Sequence, residues 1–284
     1  MIDAHQHFWR YDPAEYGWID DSMAALRRDF LPADAWREMV PAGVTRSVAV
    51  QARQTIEETR WLLELADRHP FIAGVVGWVD LQSADADAQL ESVVRHRALV
   101  GIRHIVQAEP DGFLDRPSFL AGIARLERTG LVYDILVYAR QLTAAVTFAR
   151  AFPRQTFVLD HLGKPDIRRD GYREWRRQFD QLAALPNVAC KLSGLVTEAD
   201  WRSWTAGQLR PYLDAALESF GPSRLMLGSD WPVCTVAATY KDVVGLVLEA
   251  IEEYSETERY CVLEGTAEKT YFRPPPARLR RGGN

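Results

Sequence analysis

The chain has 284 residues, of which 47% are hydrophobic and 26% are charged, and its formal net charge is −5 at pH 7. This composition is typical of a globular domain with a large core. A nucleic-acid-binding role is excluded because the Lys and Arg residues are scattered and accompany no partner-reading motif. No apolar stretch approaches the roughly 20 residues that a transmembrane helix needs, so we expect no membrane partner.

The chain is predicted to form one domain in the cytoplasm. Closed α/β barrels of about 250 residues routinely form one domain, so we assign residues 1–273 to one barrel and residues 274–284 to a tail. The first predicted strand begins at Ile2, which leaves no room for a preceding targeting segment. Cys190, Cys234 and Cys261 are odd in number and widely spaced, which indicates reduced thiols rather than disulfides or a metal knuckle.

Eight short apolar or β-branched runs alternate with segments of helical periodicity. The predicted strands are 2–8, 47–51, 72–80, 99–107, 131–138, 156–161, 188–193 and 225–229. The predicted helices include 55–69, 85–97, 117–129, 142–152, 171–185, 208–220 and 240–254. The predicted N-caps are Asp34 and Thr55, the predicted first-turn prolines are Pro117 and Pro211, and the predicted helix stops are Gly130 and Gly221. This alternation indicates a parallel sheet, either a closed barrel or a doubly wound open sheet.

A pair of histidines in the first strand favours the barrel. Side chains at positions i and i+2 of a strand point to the same side, so His5 and His7 converge. Asp230 follows the last predicted strand, and closure of a barrel would place that strand beside the first. Two imidazoles and a carboxylate could hold a divalent metal or direct water onto a carbonyl. We therefore predict a single-domain (β/α)8 barrel of the TIM type that acts as a hydrolase.

Other polar residues are predicted at the C-terminal ends of the strands, where barrel enzymes carry their sites. They are Gln51, Asp80, Arg103, His104, Gln107, Tyr138, Arg140, His161, Lys191 and Ser193. The connection at 9–31 is long and rich in aromatic residues, which predicts either a lid over the barrel mouth or packing against its rim.

The motifs around these residues resemble a known family. His5-Gln6-His7, the segment 160–165 (DHLGKP) and the segment 228–232 (GSDWP) are similar to the amidohydrolase superfamily, and more narrowly to its branch of sugar lactonases of the L-fuconolactonase group. The segment 101–104 (GIRH) also fits that group. The resemblance spans almost the whole chain and implies hydrolysis by an activated water at the C-terminal mouth of the barrel.

The resemblance also implies site residues and a cofactor. His5, His7 and Asp230 match the family's metal-ligand positions, so one divalent metal such as zinc is implied, and His161 matches the sixth-strand histidine. The fifth strand has no histidine and the fourth has no lysine for a carbamate bridge, so a binuclear site is not expected. Related lactonases that work without a tightly bound metal leave the metal requirement open.

The predicted reaction is the opening of a sugar lactone. Asp230 accepts a proton from water, while His5, His7, His161 or a metal polarises the carbonyl. The residues predicted to contact the substrate are Arg103, His104, Gln107 and Trp231. Arg103 has an alternative interpretation as a salt bridge to a nearby acid, and strand alternation lets only one of Arg103 and His104 face the barrel interior.

Three further possibilities stay open from the sequence. One is a lactonase for a pyrone dicarboxylate or a decarboxylase for an aromatic acid, whose anionic substrates would need cations such as Arg53, Arg103 and Arg140. Another is a non-catalytic barrel that binds a small molecule, which the missing fifth-strand histidine favours. The convergence of ionisable groups opposes it, because such groups are costly to desolvate. A homo-oligomer is also compatible with the sequence.

Overall fold

The structure, a computed structural model, describes residues 1–272, so the predicted tail 274–284 lies outside the described residues. One sheet of eight parallel strands runs in chain order from β1 to β8. The strands are β1 (Ile2–Gln6), β2 (Arg46–Val50), β3 (Ile72–Gly77), β4 (Leu99–His104), β5 (Val132–Ile135), β6 (Phe157–Leu159), β7 (Val188–Leu192) and β8 (Leu225–Leu227). The interleaved helices make this a single (β/α)8 barrel, which confirms the predicted fold.

The first and last strands are neighbours, as the predicted site requires. The backbone N–H of Asp230 donates to the carbonyl of His5 at 2.8 Å, and that of His7 donates to the carbonyl of Trp231 at 2.6 Å. A parallel bridge joins Gln6 to Trp231. The residues that follow β8 therefore complete the seam and bring Asp230 beside the two histidines.

Helices cover the outside of the barrel. They are α1 (Pro32–Met39), α2 (Ile56–Arg68), α3 (Ala86–Val93), α4 (Pro117–Leu126), α5 (Leu142–Ala151), α6 (Tyr172–Ala183), α7 (Leu195–Glu198), α8 (Ala206–Phe220), α9 (Tyr240–Ala250), α10 (Glu256–Tyr260) and α11 (Thr266–Tyr271). None of these helices in residues 1–272 is long and apolar enough to cross a bilayer. Cys190, Cys234 and Cys261 are all unpaired.

The predicted helix ends are partly right. Thr55 caps α2 by accepting a hydrogen bond from the N–H of Glu58, and Pro117 is the first residue of α4. The predicted N-cap Asp34 is wrong, because it lies in the first turn of α1 and accepts from the N–H of Leu31. Pro211 is also not in a first turn, because Thr205 caps α8 and the helix begins at Ala206.

The barrel interior is filled by small aliphatic residues from every strand, and α11 covers its N-terminal end. The interior residues are Ile2, Ala4, Val48, Val50, Val76, Val100, Val132, Val158, Ala189 and Met226, with Tyr271 among them. At the strand starts, the ammonium of Met1 pairs with Glu264 at 3.2 Å and Arg46 pairs with Glu268 at 2.7 Å. These ion pairs fasten the C-terminal helices to the end of the barrel opposite the predicted site.

The long first connection packs against the barrel rim. Trp9 and Phe30 form an antiparallel bridge, and both side chains are buried together with Tyr16. The ring of Phe30 lies 5.4 Å from that of Trp231 and perpendicular to it. The packing interpretation of this segment therefore accounts for these three aromatic residues, while Trp18 is 40% exposed.

Candidate active site at the barrel mouth

Three imidazoles and one carboxylate meet at the C-terminal end of the barrel. His5 Nε2 lies 3.1 Å from His7 Nε2. Oδ1 of Asp230 lies 3.4 Å from His7 Nε2, 3.8 Å from His5 Nε2 and 3.8 Å from His161 Nε2. All four residues are at most 4% exposed. The structure thus brings together the four residues that were predicted to be catalytic.

Irregular backbone is needed to aim these side chains at one point. Between Asp3 and Gln6, β1 advances three residues while β2 advances two, from Ser47 to Ala49. This bulge allows Ala4 and His5 to face the interior although they are adjacent, whereas alternation would separate them.

Left-handed backbone has the same effect on the other side of the site. His161 has a φ of 53° and Asp230 has a φ of 57°, values that non-glycine residues seldom adopt. In the turn Asp160–Gly163 this conformation directs the side chains of Asp160 and His161 into the same region of the barrel. Such backbone strain is concentrated at functional sites in proteins.

Second partners hold the imidazole rings. His7 Nδ1 donates to the carbonyl of Val50 at 2.8 Å, which holds the ring with its Nε2 3.4 Å from Oδ1 of Asp230. His161 Nδ1 lies 2.8 Å from Oγ of Ser193, and His5 Nδ1 lies 3.2 Å from Oδ1 of Asp160. Each ring is therefore held by a partner at its Nδ1, with its Nε2 directed toward the carboxylate of Asp230.

Burial keeps the cluster's charge low. It lowers the pKa of His161 to about 4 and lowers that of His5 well below its ordinary value, so both rings are neutral at pH 7. Burial alone would raise the pKa of Asp230, but His161 and a hydrogen bond from His7 hold it below its ordinary value. Asp230 is therefore ionised and faces the neutral imidazoles of His5 and His161.

This donor set fits a divalent metal ion. Ligand atoms of His5, His161 and Asp230 all lie within 4.8 Å of one another. Metal–ligand bonds of about 2.0–2.1 Å in a tetrahedral site would separate ligand atoms by about 3.3 Å. The separations around Asp230 Oδ1 and between the histidines run from 3.1 to 3.8 Å. His161, which the predicted ligand set omitted, is close enough to serve beside His5, His7 and Asp230.

Arg103 faces the interior but is held by the protein itself. Its Nη1 donates to Asp160 Oδ2 at 2.9 Å, and its Nη2 donates to the backbone carbonyl and to Oε1 of Gln51. Its Nε also donates to Gln51 Oε1, so every guanidinium nitrogen has a partner. These contacts support the alternative interpretation of Arg103 as a buried salt bridge, and its predicted contact with the substrate stays a prediction.

His104 lies on the opposite side of β4, as alternation predicts. Its Nδ1 accepts from Nε1 of Trp78 at 3.3 Å, its Nε2 lies 2.9 Å from Oε1 of Glu109, and its ring stacks on Phe113. Burial lowers the pKa of His104, which favours the neutral ring that these contacts require. These contacts direct His104 away from the cluster, so a substrate contact from it is not supported.

The other two residues predicted to contact the substrate, Trp231 and Gln107, have different surroundings. Trp231 is 3% exposed and packs against Phe8 and Phe30, which leaves little open ring surface for a sugar. Gln107 is half-buried, and its Oε1 is a buried acceptor without a hydrogen-bond partner in the described part of the chain. Nε2 of Gln51 is likewise a buried donor without a partner. A substrate contact from Gln107 stays a prediction, and Gln51 joins it as a candidate because of its unpartnered donor.

Beneath the imidazoles lies a layer of buried charges that the sequence reasoning did not assemble. Lys191 Nζ lies 2.5 Å from Asp134 Oδ2 and 2.9 Å from Asp160 Oδ1, and all three residues are fully buried. Burial alone would raise the pKa of Asp160, but Lys191, His5 and Arg103 hold it well below its ordinary value. Asp134 carried a sequence signal, because it is the one charged residue in the otherwise apolar strand β5.

Imidazoles and a carboxylate gathered at the C-terminal mouth of a (β/α)8 barrel define a class of enzymes that activate water for hydrolysis. The amidohydrolase family model matches residues 2–273. The chain therefore belongs to the amidohydrolase family.

Curated relatives and a solved structure agree with this assignment. The chain is 47% identical to an L-fucono-1,5-lactonase of Burkholderia multivorans over 98% of both chains. It is 42% identical to an L-fucono-1,5-lactonase of Burkholderia ambifaria over 85% of this chain and 83% of that one. The crystal structure of an amidohydrolase from Burkholderia multivorans with bound zinc has a TM-score of 0.92 and 45% identity, and covers 96% of this chain and 99% of that one.

Proposed function

We propose that the protein hydrolyses a neutral sugar lactone, with L-fucono-1,5-lactone as the first candidate, to the aldonic acid. The observation that carries the proposal is the ionised Asp230 surrounded by His5, His7 and His161 at the barrel mouth. The lactonases named above, at 47% and 42% identity, support the choice of substrate.

In the proposed reaction a water molecule beside Asp230 attacks the lactone carbonyl. Asp230 takes the proton as the new C–O bond forms, and the carbonyl oxygen becomes an oxyanion. When the tetrahedral intermediate collapses, the ring C–O bond breaks and the proton returns to the ring oxygen. Because its pKa is held low, a protonated Asp230 gives this proton up readily. The imidazoles of the cluster orient the water and the carbonyl.

We propose zinc as the divalent metal, held by His5, His7 and Asp230 with His161 beside them. A zinc ion supplies a Lewis acid for the carbonyl and lowers the pKa of bound water. The support is the imidazole and carboxylate donor set, together with the zinc-bound relative at 45% identity. His7 donates its second ring nitrogen to Val50, which is the usual arrangement behind a histidine that ligates a metal.

The ion pairs formed by the three predicted cations favour a neutral substrate over a dicarboxylate. Arg53 pairs with Glu15, and Arg140 pairs with Asp111 at 2.8 Å. Arg103 is held by Asp160. A dicarboxylate would have to compete with these acids, whereas a polyol lactone can use neutral partners such as Gln107 and Gln51.

The substrate assignment is tested with a panel of lactones. Purified protein is added to L-fucono-1,5-lactone, to other aldonolactones and to a pyrone dicarboxylate lactone in weak buffer with a pH indicator. We expect acid release from the aldonolactones, fastest from L-fucono-1,5-lactone, and none from the dicarboxylate. Hydrolysis of the dicarboxylate alone would refute the proposal.

The role of Asp230 is tested by Asp230→Asn, with Asp111→Asn as the control because Asp111 is 87% exposed and outside the cluster. We expect Asp230→Asn to lower kcat by about 10²–10⁴-fold, the usual contribution of a general base, while the control keeps wild-type kcat. Lactone binding without turnover in the wild type would instead support a binding protein.

A cytoplasmic location, a homo-oligomer and the domain bounds 1–273 stay predictions.

A further inference from the structure

Tyr271, in the C-terminal helix α11, reaches the buried charges from the end of the barrel opposite the mouth. Its side chain is 4% exposed and lies among the interior aliphatic residues. Its hydroxyl donates to the carboxylate of Asp134, with both oxygens within 2.9 Å. The ammonium of Lys191 lies 5.4 Å from the centre of its ring, within the range of a cation–π contact.

An unbroken chain of buried contacts leads from this hydroxyl to the catalytic cluster. Asp134 binds Lys191 at 2.5 Å, and Lys191 binds Asp160 at 2.9 Å. Lys191 Nζ and Asp160 Oδ1 each lie 3.2 Å from Nδ1 of His5. These contacts join β5, β7, β1 and the turn after β6, and every residue between Tyr271 and His5 is fully buried.

This series of contacts transmits a change because Lys191 binds both Asp134 and Asp160. Water does not reach Asp134, so its carboxylate depends on Tyr271 and Lys191 for hydrogen bonds. Without the hydroxyl of Tyr271, the carboxylate of Asp134 would depend on Lys191 alone for its hydrogen bonds. Lys191 would bind Asp134 more tightly, and its contacts with Asp160 and His5 would then lengthen. Outer partners of this kind orient catalytic histidines, and their loss usually costs activity about 10–100-fold.

We propose that Tyr271 is a positioning residue for the catalytic centre, acting through Asp134 and Lys191 on Asp160 and His5. Nothing in the reaction requires Tyr271 to touch the substrate, because it approaches from the opposite end of the barrel. The activity readout of this proposal rests on the proposed lactonase function, whereas the readout on His5 does not.

The test is Tyr271→Phe, which removes only the hydroxyl. The matched control is Tyr133→Phe on the same strand as Asp134, because Tyr133 is fully buried and its hydroxyl forms no hydrogen bond within residues 1–272. We expect Tyr271→Phe to lower kcat by about tenfold or more with KM nearly unchanged, while the control keeps wild-type kcat. Equal losses in both variants would mean that packing is responsible, and would overturn the proposal.

A double-mutant cycle tests the route. Asp134→Asn should also lower kcat. Adding Tyr271→Phe to it should lower kcat no further, because both changes act through the same series of contacts. Additive losses would overturn the route through Asp134. If Tyr271→Phe does not fold, Tyr271→Leu, which also removes the hydroxyl donor, takes its place in the same cycle.

A spectroscopic readout separates this proposal from the substrate assignment. In protein labelled with ¹⁵N-histidine, the ring nitrogen signals of His5, assigned with a His5→Gln variant, should shift in Tyr271→Phe and not in Tyr133→Phe. If the wild type hydrolyses no lactone, the proposed function fails while this comparison still decides the role of Tyr271. Unchanged His5 signals together with unchanged kcat would overturn the positioning role.

Discussion

Gly194 is the position where a single methyl group should disturb the site most directly. A Cβ at Gly194 would lie 2.6 Å from both Cγ and Nδ1 of His161. Restoring an ordinary 3.4 Å contact requires the imidazole to move by about 0.8 Å. The φ of Gly194 is +68°, so an alanine there is also strained.

The expected effects of Gly194→Ala follow from the close contact with His161 and from the strained backbone. Left-handed backbone costs an alanine about 1–2 kcal/mol, and overpacking costs about 1–3 kcal/mol, so the free energy of unfolding should fall by about 2–5 kcal/mol. A displacement near 1 Å in a catalytic group can cost about 10²-fold in rate, so kcat on the lactone should fall by about that factor. Urea unfolding and the pH-indicator assay measure the two effects separately.

Gly43→Ala is the matched control for this experiment. Gly43 has a φ of +74°, and the nearest atom to a Cβ there is Met1 Cε at 3.4 Å, an ordinary contact. It precedes β2 at the far end of the barrel, so it should lose about 1–2 kcal/mol of stability from strain and keep wild-type kcat. If Gly194→Ala kept kcat within about threefold, or if Gly43→Ala lost as much, the argument from close approach would be wrong.

Two further predictions concern pH and metal. Burial raises the pKa of Glu58 from 4.5 to about 7, so its stabilising contribution is full below pH 4.5 and is lost as the pH rises toward 7. The unfolding free energy of wild type minus that of Glu58→Gln should fall by about 3 kcal/mol from pH 4.5 to 7.5, and a constant difference would contradict this. Zinc should raise the Tm of the wild type and of His104→Ala but not that of Asp230→Ala, and an equal rise in Asp230→Ala would exclude the proposed ligand.

The strands and the four clustered residues could be predicted because the rules involved are local or topological. Alternation in the predicted first strand, 2–8, pairs His5 with His7, and closure of the barrel places Asp230 beside them. Strand ends were predicted less well. The run 156–161 is predicted to be a strand throughout, but β6 ends at Leu159 because a turn begins at Asp160 and the backbone becomes left-handed at His161.

The partner of each charged residue could not be predicted in the same way. Arg103 and Asp160 are 57 residues apart, and nothing in either segment shows that one neutralises the other. The same holds for the pairing of Arg53 with Glu15, which connects the long first loop to the end of β2. Electrostatic pairing depends on distances of a few ångströms between segments that meet only after folding.

The sequence by itself therefore determined the barrel, its family and the identities of His5, His7, His161 and Asp230, because periodicity and motifs are written along the chain. Only the tertiary structure decided that Arg103 is bound by Asp160, that His104 faces away from the cluster, and that Tyr271 reaches Asp134 from below. Those outcomes depend on packing and charge pairing between segments that are distant along the chain. Such features arise from three-dimensional contacts, which no local sequence pattern encodes.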